Sequence, residues 1–390
     1  MNIVFFAHPA FLGHQSMPRF AHMLADGMAA RGHTVAVWAP EAAFARLPAP
    51  NPLRKWLGYL DQYVAFPAQV RQRLRTCPPD TLFVFTDHAL GPWVPLVADR
   101  PHVVHCHDFL AQRSALGEIP ENPTGWTGRR YQALIRRGYT QAQNFISVSR
   151  STEADLRRFL PAPPARSEMV YNGLNQAFGP RDAAAARILL AHQTGLPLAG
   201  GYLLHVGGNQ WYKNRTGILA LYNAWRARSA HAWPLLLIGQ APDAALAAAH
   251  AAAPYRDDVY FLTQADDALV RLAYAGAQVF LFPSLAEGFG WPIAEAMASG
   301  CPVITTAEAP MTEVAGTAGF LIPRRRAADD LAGWADEAAR TLDHIATLPP
   351  AVQAQAVAAG LANARRFEAT RTLDRIEVIY QNIVNDIVYT

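Results

Sequence analysis

Short, nearly continuous apolar runs punctuate the chain at 2–7, 34–38, 81–86, 102–105, 144–149 and 168–171, and again at 202–206, 235–238, 259–262, 279–282 and 303–305. Apolar runs with little alternation mark strands buried on both faces, as in a parallel sheet covered by its helical crossovers. The intervening segments supply such crossovers: 19–31 has helical period and stops at Gly32, and 182–194 is Ala-rich and stops at Gly195. Strand, helix and strand in this alternation predict βαβ units and an α/β fold. A joint at Gly179-Pro180 splits the strands into two series, which predicts two doubly wound units. From 329 onward the period is helical with a break at Pro349-Pro350, and Leu373, Ile376, Ile379, Tyr380, Ile383 and Val384 line one face of a terminal helix.

Length and composition narrow the class. With 390 residues the chain can bury two full cores, and 51% hydrophobic against 17% charged residues describes a globular protein. No apolar run is long enough to predict a membrane-spanning helix, and residues 1–6 read as a strand rather than a leader. Cys77, Cys106 and Cys301 are scattered, which points to neither a disulfide framework nor a zinc site, so a cytoplasmic location is expected.

The net charge of +3 conceals an asymmetry, because residues 1–180 carry 18 Lys+Arg against 12 Asp+Glu. The N-terminal half therefore favours something anionic, such as a phospholipid surface or a lipid-diphosphate acceptor. No nucleic-acid motif accompanies the charge, and nucleic acid is not an expected partner. Residues 51–75 mix Trp56, Tyr59, Tyr63 and Phe66 with Arg54, Lys55 and Arg71. Two readings stay open there: a helix resting peripherally on the inner face of an anionic membrane, or one whose aromatics pack inward while its arginines stay solvated.

The densest chemistry lies in 280–306. Apolar runs flank Pro283-Ser-Leu-Ala-Glu287-Gly288-Phe289-Gly290-Trp291-Pro292-Ile-Ala-Glu295, and Gly300 closes the helix that Pro292 opens. Unpaired N–H groups and the dipole at such a helix start favour an anion, typically phosphate. Gly288 and Gly290 allow close approach, and Glu287 on the loop and Glu295 on the first turn would meet different parts of one ligand.

Glu287, seven intervening residues and Glu295, embedded in Pro-Ser-Leu-Ala-Glu-Gly-Phe-Gly and followed by Glu-Ala-Met-Ala-Ser-Gly-Cys-Pro-Val-Ile, resemble the signature of family-4 retaining glycosyltransferases of the GT-B fold. The resemblance implies two Rossmann-like domains facing across a cleft: 1–175 on the acceptor side, 176–370 for the nucleotide sugar, and a terminal helix, 371–390, returning to the first. It implies that Glu295 holds ribose hydroxyls and Glu287 hydroxyls of the transferred sugar, with backbone at Gly288, Phe289, Gly290 and Trp291 facing the diphosphate. Gly207-Gly208-Asn209-Gln210-Trp211-Tyr212-Lys213-Asn214 is similar to the family's Gly-x-Arg-x-x-x-x-Lys-Asn pattern, whose cations neutralise the diphosphate. Lys213 and Asn214 match its Lys-Asn pair, with three rather than four residues before them; Asn209 stands where an Arg is expected, leaving Arg215 or backbone amides to compensate. Thr263 falls where the family's backbone holds the base.

In the first half, the loop 8–18 offers Gly13 alone instead of Gly-x-Gly-x-x-Gly, so the nucleotide is not gripped there. The resemblance makes Gly13, His14, Gln15 and Ser16 acceptor-side candidates and matches His107-Asp108 to a cleft-lining histidine beside the reacting sugar. His105 is read as a core histidine, and Asp87-His88 as a weaker pair facing the same crevice. The expected activity is retaining, metal-independent hexosyl transfer from a nucleoside diphosphate sugar, with no other cofactor. The acceptor would be a saccharide or lipid-linked saccharide of cell-envelope or exopolysaccharide synthesis. Alternatives are a nucleotide-sugar epimerase or glycosyl phosphorylase on the same fold, or a non-catalytic nucleotide-sugar binding protein.

Overall fold

The computed structural model describes residues 1–13, 16–48, 50–174 and 178–388. The chain divides into two units, the first comprising Met1–Ile119, Pro123–Asn175 and Ala369–Thr390, the second Pro120–Asn122 and Gln176–Glu368.

In the first unit, β1 (Asn2–Phe6), β2 (Thr34–Trp38), β3 (Leu82–Phe85), β4 (His102–Cys106), β5 (Asn144–Ser147) and β6 (Arg166–Met169) form a parallel sheet in the order β2-β1-β3-β4-β5-β6. Phe6 anchors its core, stacked on Phe85 at 4.6 Å between ring centroids and edge-on to Trp38 and Phe66. The last helix, Ala369–Val388, completes this unit: Ile376, Ile379, Tyr380 and Ile383 are buried, and the Tyr380 hydroxyl meets His105 Nε2 at 2.7 Å.

In the second unit, β7 (Leu203–Gly207), β8 (Leu235–Gly239), β9 (Val259–Leu262), β10 (Val279–Phe282), β11 (Val303–Thr306) and β12 (Phe320–Ile322) form a second parallel sheet, ordered β12-β11-β10-β7-β8-β9. Leu203, Leu235, Leu237 and Leu281 pack against Tyr222, Trp225 and Trp334 of the covering helices. Local signals set the helix ends: Asp182, Asp243, Asp266 and Asp330 each accept a backbone N–H at a helix start.

Several elements differ from the sequence expectation. The first helix begins at Ser16 rather than 19, because Pro18 lacks an N–H only where the first turn has no use for one. Residues Asn51–Leu74 form one continuous helical stretch with a π turn at Asp61–Ala65. Pro67 explains the turn: it cannot donate to the Tyr63 carbonyl and would crowd it, and a widened turn relieves both problems. The stretch following β3 is a 3-10 helix, His88–Leu96, containing Pro92 and Pro95. β12, Phe320-Leu321-Ile322, is a three-residue strand that the sequence reading did not pick out.

Candidate functional site

In each sheet the chain adds strands on one side of the first strand and then reverses to the other. The reversal falls between β1 and β3 in the first unit and between β7 and β10 in the second. Open parallel sheets bind ligands beyond the carboxyl ends of the strands at such a point, where diverging loops leave a crevice. Lys213, Glu287 and Gly288–Trp291 lie on the segments that flank the second reversal, and Gly13 and Asp87-His88 on those that flank the first.

After β7, a 3-10 turn, Trp211–Lys213, ends at Asn214, the one described residue other than glycine with positive φ, 52°. Asn214 is pinned to the next loop, donating to the Pro283 carbonyl at 3.0 Å and accepting from Arg325 Nε at 2.9 Å. Leu285 N–H donates to the Tyr212 carbonyl at 2.7 Å, which ties the loops after β7 and β10 together. Lys213 Nζ thus lies 2.8 Å from Glu287 Oε1, with the two side chains only 13% and 10% exposed. The ammonium also lies 4.8 Å from the Phe282 ring centroid, a contact whose strength grows with desolvation.

Glu287 leads into a turn at Gly290, whose φ of 104° strongly favours glycine, and then into the helix Trp291–Ala298 with Pro292 in its first turn. Phe289 is buried, its ring 5.4 Å from that of Phe367, so its side chain serves packing. Glu295 corrects the sequence reading. It is the fifth helical residue, and no acid occupies the first turn, so complementing the helix dipole does not account for it. Its Oε2 accepts the Tyr274 hydroxyl at 2.9 Å. Burial pushes the Tyr274 pKa far up, followed by the nearby carboxylate, so the hydroxyl remains a donor.

At the position lacking the expected Arg, Asn209 Oδ1 accepts from Arg215 Nη1, which also donates to the Gln240 carbonyl at 2.8 Å. Asn209 Nδ2 donates to the Ala241 carbonyl at 2.6 Å. Arg215 is 5% exposed, and its Nε and Nη2 lack a hydrogen-bond partner among the described residues. Burial lowers its pKa, with Asp243 opposing the shift. A buried guanidinium with two unsatisfied donors is costly unless a ligand or water completes it. Gly208 adjoins this group beside Gln210 and Gln240, while Thr263 is exposed just past β9, two strands from β7.

The first unit builds a second polar cluster. His8, after β1, places Nε2 2.9 Å from Asp87 Oδ2, after β3. Asp87 Oδ1 accepts the Ala89 N–H at 3.1 Å and lies 3.0 Å from His88 Nδ1, an ion-pair contact rather than an aligned hydrogen bond. Burial alone would raise the Asp87 carboxyl and lower the His88 imidazole, but the facing charges reverse both: Asp87 is held well below its ordinary range and His88 above.

His107 is buried, its Nε2 2.9 Å from the Thr86 carbonyl and its ring edge-on to Phe20 at 4.4 Å. Burial lowers its pKa, which leaves the ring neutral at pH 7. Asp108 is half-buried and accepts the Leu110 N–H at 3.0 Å. Gly13 is exposed with a φ of 70°. His14, Gln15 and the Ser16 side chain lie outside the described residues. His105 is 1% exposed and spent on Tyr380, and burial drops its pKa to about 3.

Sequence reading missed several residues that contact these groups. Arg324 Nε donates to the Leu285 carbonyl at 2.8 Å and Arg325 holds Asn214. Among 32 arginines, neither carried a local cue. Tyr274 lies on a helix that looked structural, and His8 meets Asp87 across 79 residues. Among the described residues, no three His, Cys, Asp or Glu side chains gather as metal ligands would, and no single helix is long and apolar enough to cross a membrane.

Each unit is thus an open parallel sheet with polar loops at its reversal point, and in the second unit the loops after β7 and β10 carry the Lys213–Glu287 pair. Residues 200–344 match the glycosyl transferases group 1 and residues 17–178 match glycosyltransferase family 4, together most of the chain. The chain belongs to these glycosyltransferases and has the GT-B fold.

Among known proteins, it is 26% identical over 378 residues to the phosphatidyl-myo-inositol mannosyltransferase of Mycobacterium leprae, covering 92% of this chain and 91% of that one. It is 26% identical over 196 residues to the O-antigen chain mannosyltransferase B of Escherichia coli, a match covering 50% of this chain and about half (51%) of that protein. Sucrose-phosphate synthase from Thermosynechococcus elongatus superposes with a TM-score of 0.74 at 18% identity, covering 99% and 100% of the two chains. Anabaena HepE in complex with UDP and glucose superposes at 0.71 with 17% identity, covering 98% and 100%.

Proposed function

We propose that this glycosyltransferase moves a hexosyl group, with retention of anomeric configuration, from a nucleoside diphosphate sugar to an acceptor hydroxyl during cell-envelope or exopolysaccharide synthesis. The observation that carries the donor assignment is Arg215. A buried guanidinium with two open donors stands beside Asn209 and the Gln240 carbonyl, between the chain segments that follow β7 and β8 and two residues beyond Lys213. An anionic diphosphate satisfies those donors. That HepE binds UDP and glucose, and that two relatives are named mannosyltransferases, supports a nucleotide-sugar donor.

In this reading Lys213, Arg215 and the N–H groups near Gly288–Trp291 receive the diphosphate and stabilise its charge as it departs. No metal ion is assigned to that task. Glu295, aligned by Tyr274, takes the ribose hydroxyls, and Glu287 orients the transferred sugar. The acceptor hydroxyl attacks from the face the phosphate leaves: its oxygen bonds to the anomeric carbon, the bond to the phosphate oxygen breaks, and the departing phosphate takes the hydroxyl proton. His107 and Asp108 belong to the acceptor side.

The test is a panel of nucleoside diphosphate sugars and saccharide or lipid-linked acceptors, read by nucleoside diphosphate release and by the anomeric configuration of the product. Acceptor-dependent release with retained configuration is the expected result. Inverted product refutes the mechanism, and acceptor-independent conversion of the donor refutes transfer.

A further inference from the structure

The first unit contains a cavity of about 630 Å³ that the donor chemistry does not use. It opens at the reversal point between β1 and β3, where a parallel sheet of this kind binds ligands. Its volume falls within the roughly 300–1,000 Å³ usual for small-molecule sites. Five chain segments converge on it, and the lining residues that decide its chemistry are His8, Arg54, Lys55, Tyr59, Tyr63 and Tyr131.

The lining has a definite polarity. Arg54 and Lys55 are adjacent on the helix Asn51–Leu60, both exposed, and no Asp or Glu is among the described residues lining the cavity. Two cations with no lining carboxylate make a place for a dianion, which Arg and Lys bind by charge-assisted hydrogen bonds.

Beyond the cations lies an aromatic wall. The Tyr63 and Tyr131 hydroxyls are 2.7 Å apart, and the Tyr59 and Tyr131 ring centroids 5.7 Å. Burial pushes the Tyr63 hydroxyl pKa up, so it keeps its proton and serves as a hydrogen-bonding group. Aromatic faces joined to phenol hydroxyls suit a polyol ring, whose C–H face is apolar and whose rim is all hydroxyl.

The π turn brings Gln62 and Tyr63 to this wall, and buried Asp61 secures it by accepting the backbone N–H groups of Ala43, Phe44 and Ala45. π turns recur at functional sites. His8 also lines the cavity, its ring oriented by Asp87, which acts as a positioning residue.

We propose that this cavity binds a phosphate-bearing polyol, with the phosphate on Arg54 and Lys55 and the ring against Tyr59, Tyr63 and Tyr131, and that this molecule is the glycosyl acceptor. Its role as acceptor rests on the transferase reading above; its binding does not.

The experiment uses the full chain. Calorimetry compares glucose 6-phosphate, mannose 6-phosphate and inositol 1-phosphate with their unphosphorylated parents. Flotation compares phosphatidylcholine vesicles with and without phosphatidylinositol. Phosphate-bearing probes are expected to bind at least about tenfold more tightly than their counterparts, as loss of charge-assisted contacts implies. The double variant Arg54→Gln/Lys55→Gln erases that preference, and Gly58→Leu, which fills the cavity from its wall, weakens phosphorylated and parent probes alike.

Binding of a soluble probe assigns a free phosphorylated polyol; binding only to phosphatidylinositol vesicles assigns a lipid headgroup. No preference for phosphate in either arm, or a preference that survives the double variant, overturns the proposal. UDP affinity, measured in parallel, is expected to stay at the wild-type value in these variants. Failure of the transferase reading would instead appear as absent UDP binding or absent transfer in the wild type.

Discussion

Replacing Lys213 by Ala separates two jobs that the lysine could hold. The residue makes a charge-assisted hydrogen bond of 2.8 Å to Glu287, and both side chains are about nine-tenths covered. Removing one partner of a fully buried pair costs roughly 3–5 kcal/mol because a lone charge is left behind. The remaining solvent contact lowers the expectation here to about 2 kcal/mol, in the range of hydrogen bonds to charged groups. If the ammonium also stabilises the departing diphosphate, its loss removes about 1.5–3 kcal/mol at the transition state, or roughly ten- to a hundredfold in turnover.

A double-mutant cycle with Glu287→Gln distinguishes the two jobs. Urea unfolding should show that Lys213→Ala/Glu287→Gln recovers much of the stability that Lys213→Ala loses, since no uncompensated carboxylate remains. Turnover of a saturating nucleoside diphosphate sugar, followed by nucleoside diphosphate release, should stay low in the double variant. Wild-type turnover in Lys213→Ala, or its return in the double variant, would refute the diphosphate role and leave the lysine as a counter-ion of Glu287.

Three other perturbations address the remaining groups. Glu295→Ala should weaken nucleoside diphosphate binding about tenfold or more, and Tyr274→Phe, which removes one hydrogen bond of about 1 kcal/mol, should weaken it severalfold; calorimetry showing unchanged affinity in both would remove Glu295 from the ribose. Arg215→Met should lower nucleoside diphosphate affinity by at least about tenfold while a nucleoside without phosphates binds as before; equal losses for both ligands would show that only packing was disturbed. For Asp87→Asn, the informative quantity is its stability gap to the wild type as a function of pH. His88, raised in the fold, contributes fully below about pH 6.5 and loses that contribution as pH rises through its folded value. Asp87, depressed in the fold, contributes above about pH 4 and loses that contribution as pH falls through its folded value. The gap should therefore be widest between about pH 4 and 6.5, and a gap that is flat from acid to alkaline pH would contradict the coupling.

Most strands were legible because a buried parallel strand must be apolar on both faces, as β1, β3, β8 and β10 are; β6, Arg-Ser-Glu-Met and half-buried throughout, was placed two residues late on the apolar residues that follow it. β12 was passed over although Phe-Leu-Ile is wholly apolar, because three residues between Gly319 and Pro323 read as readily as part of a loop. The loop from Glu287 to Trp291 was legible because glycines and a proline at a helix start have few other physical uses. The partners of that loop were not. Arg325 and Tyr274 gain their meaning from contacts across long stretches of sequence, and their residue types are ordinary where they occur; Arg215 was foreseen only as a substitute for the missing Arg at Asn209. Glu295 was placed on the first turn or so of its helix; as the fifth helical residue it stands just beyond that turn. His8 and Asp87 come together only through the order β1-β3, which no local pattern encodes.

The placement of Ala369–Val388 in the first unit bears on biogenesis. A ribosome that has released the chain as far as Glu368 has delivered every residue of the second unit, whereas the first still lacks Ile376, Ile379 and Tyr380 from its interior. Domains otherwise tend to mature in the order they emerge. Here the earlier half stays unfinished until Ala369–Val388 has emerged, and a stop codon just before Ala369 would spare the later half while leaving the earlier one with an open wound in its core.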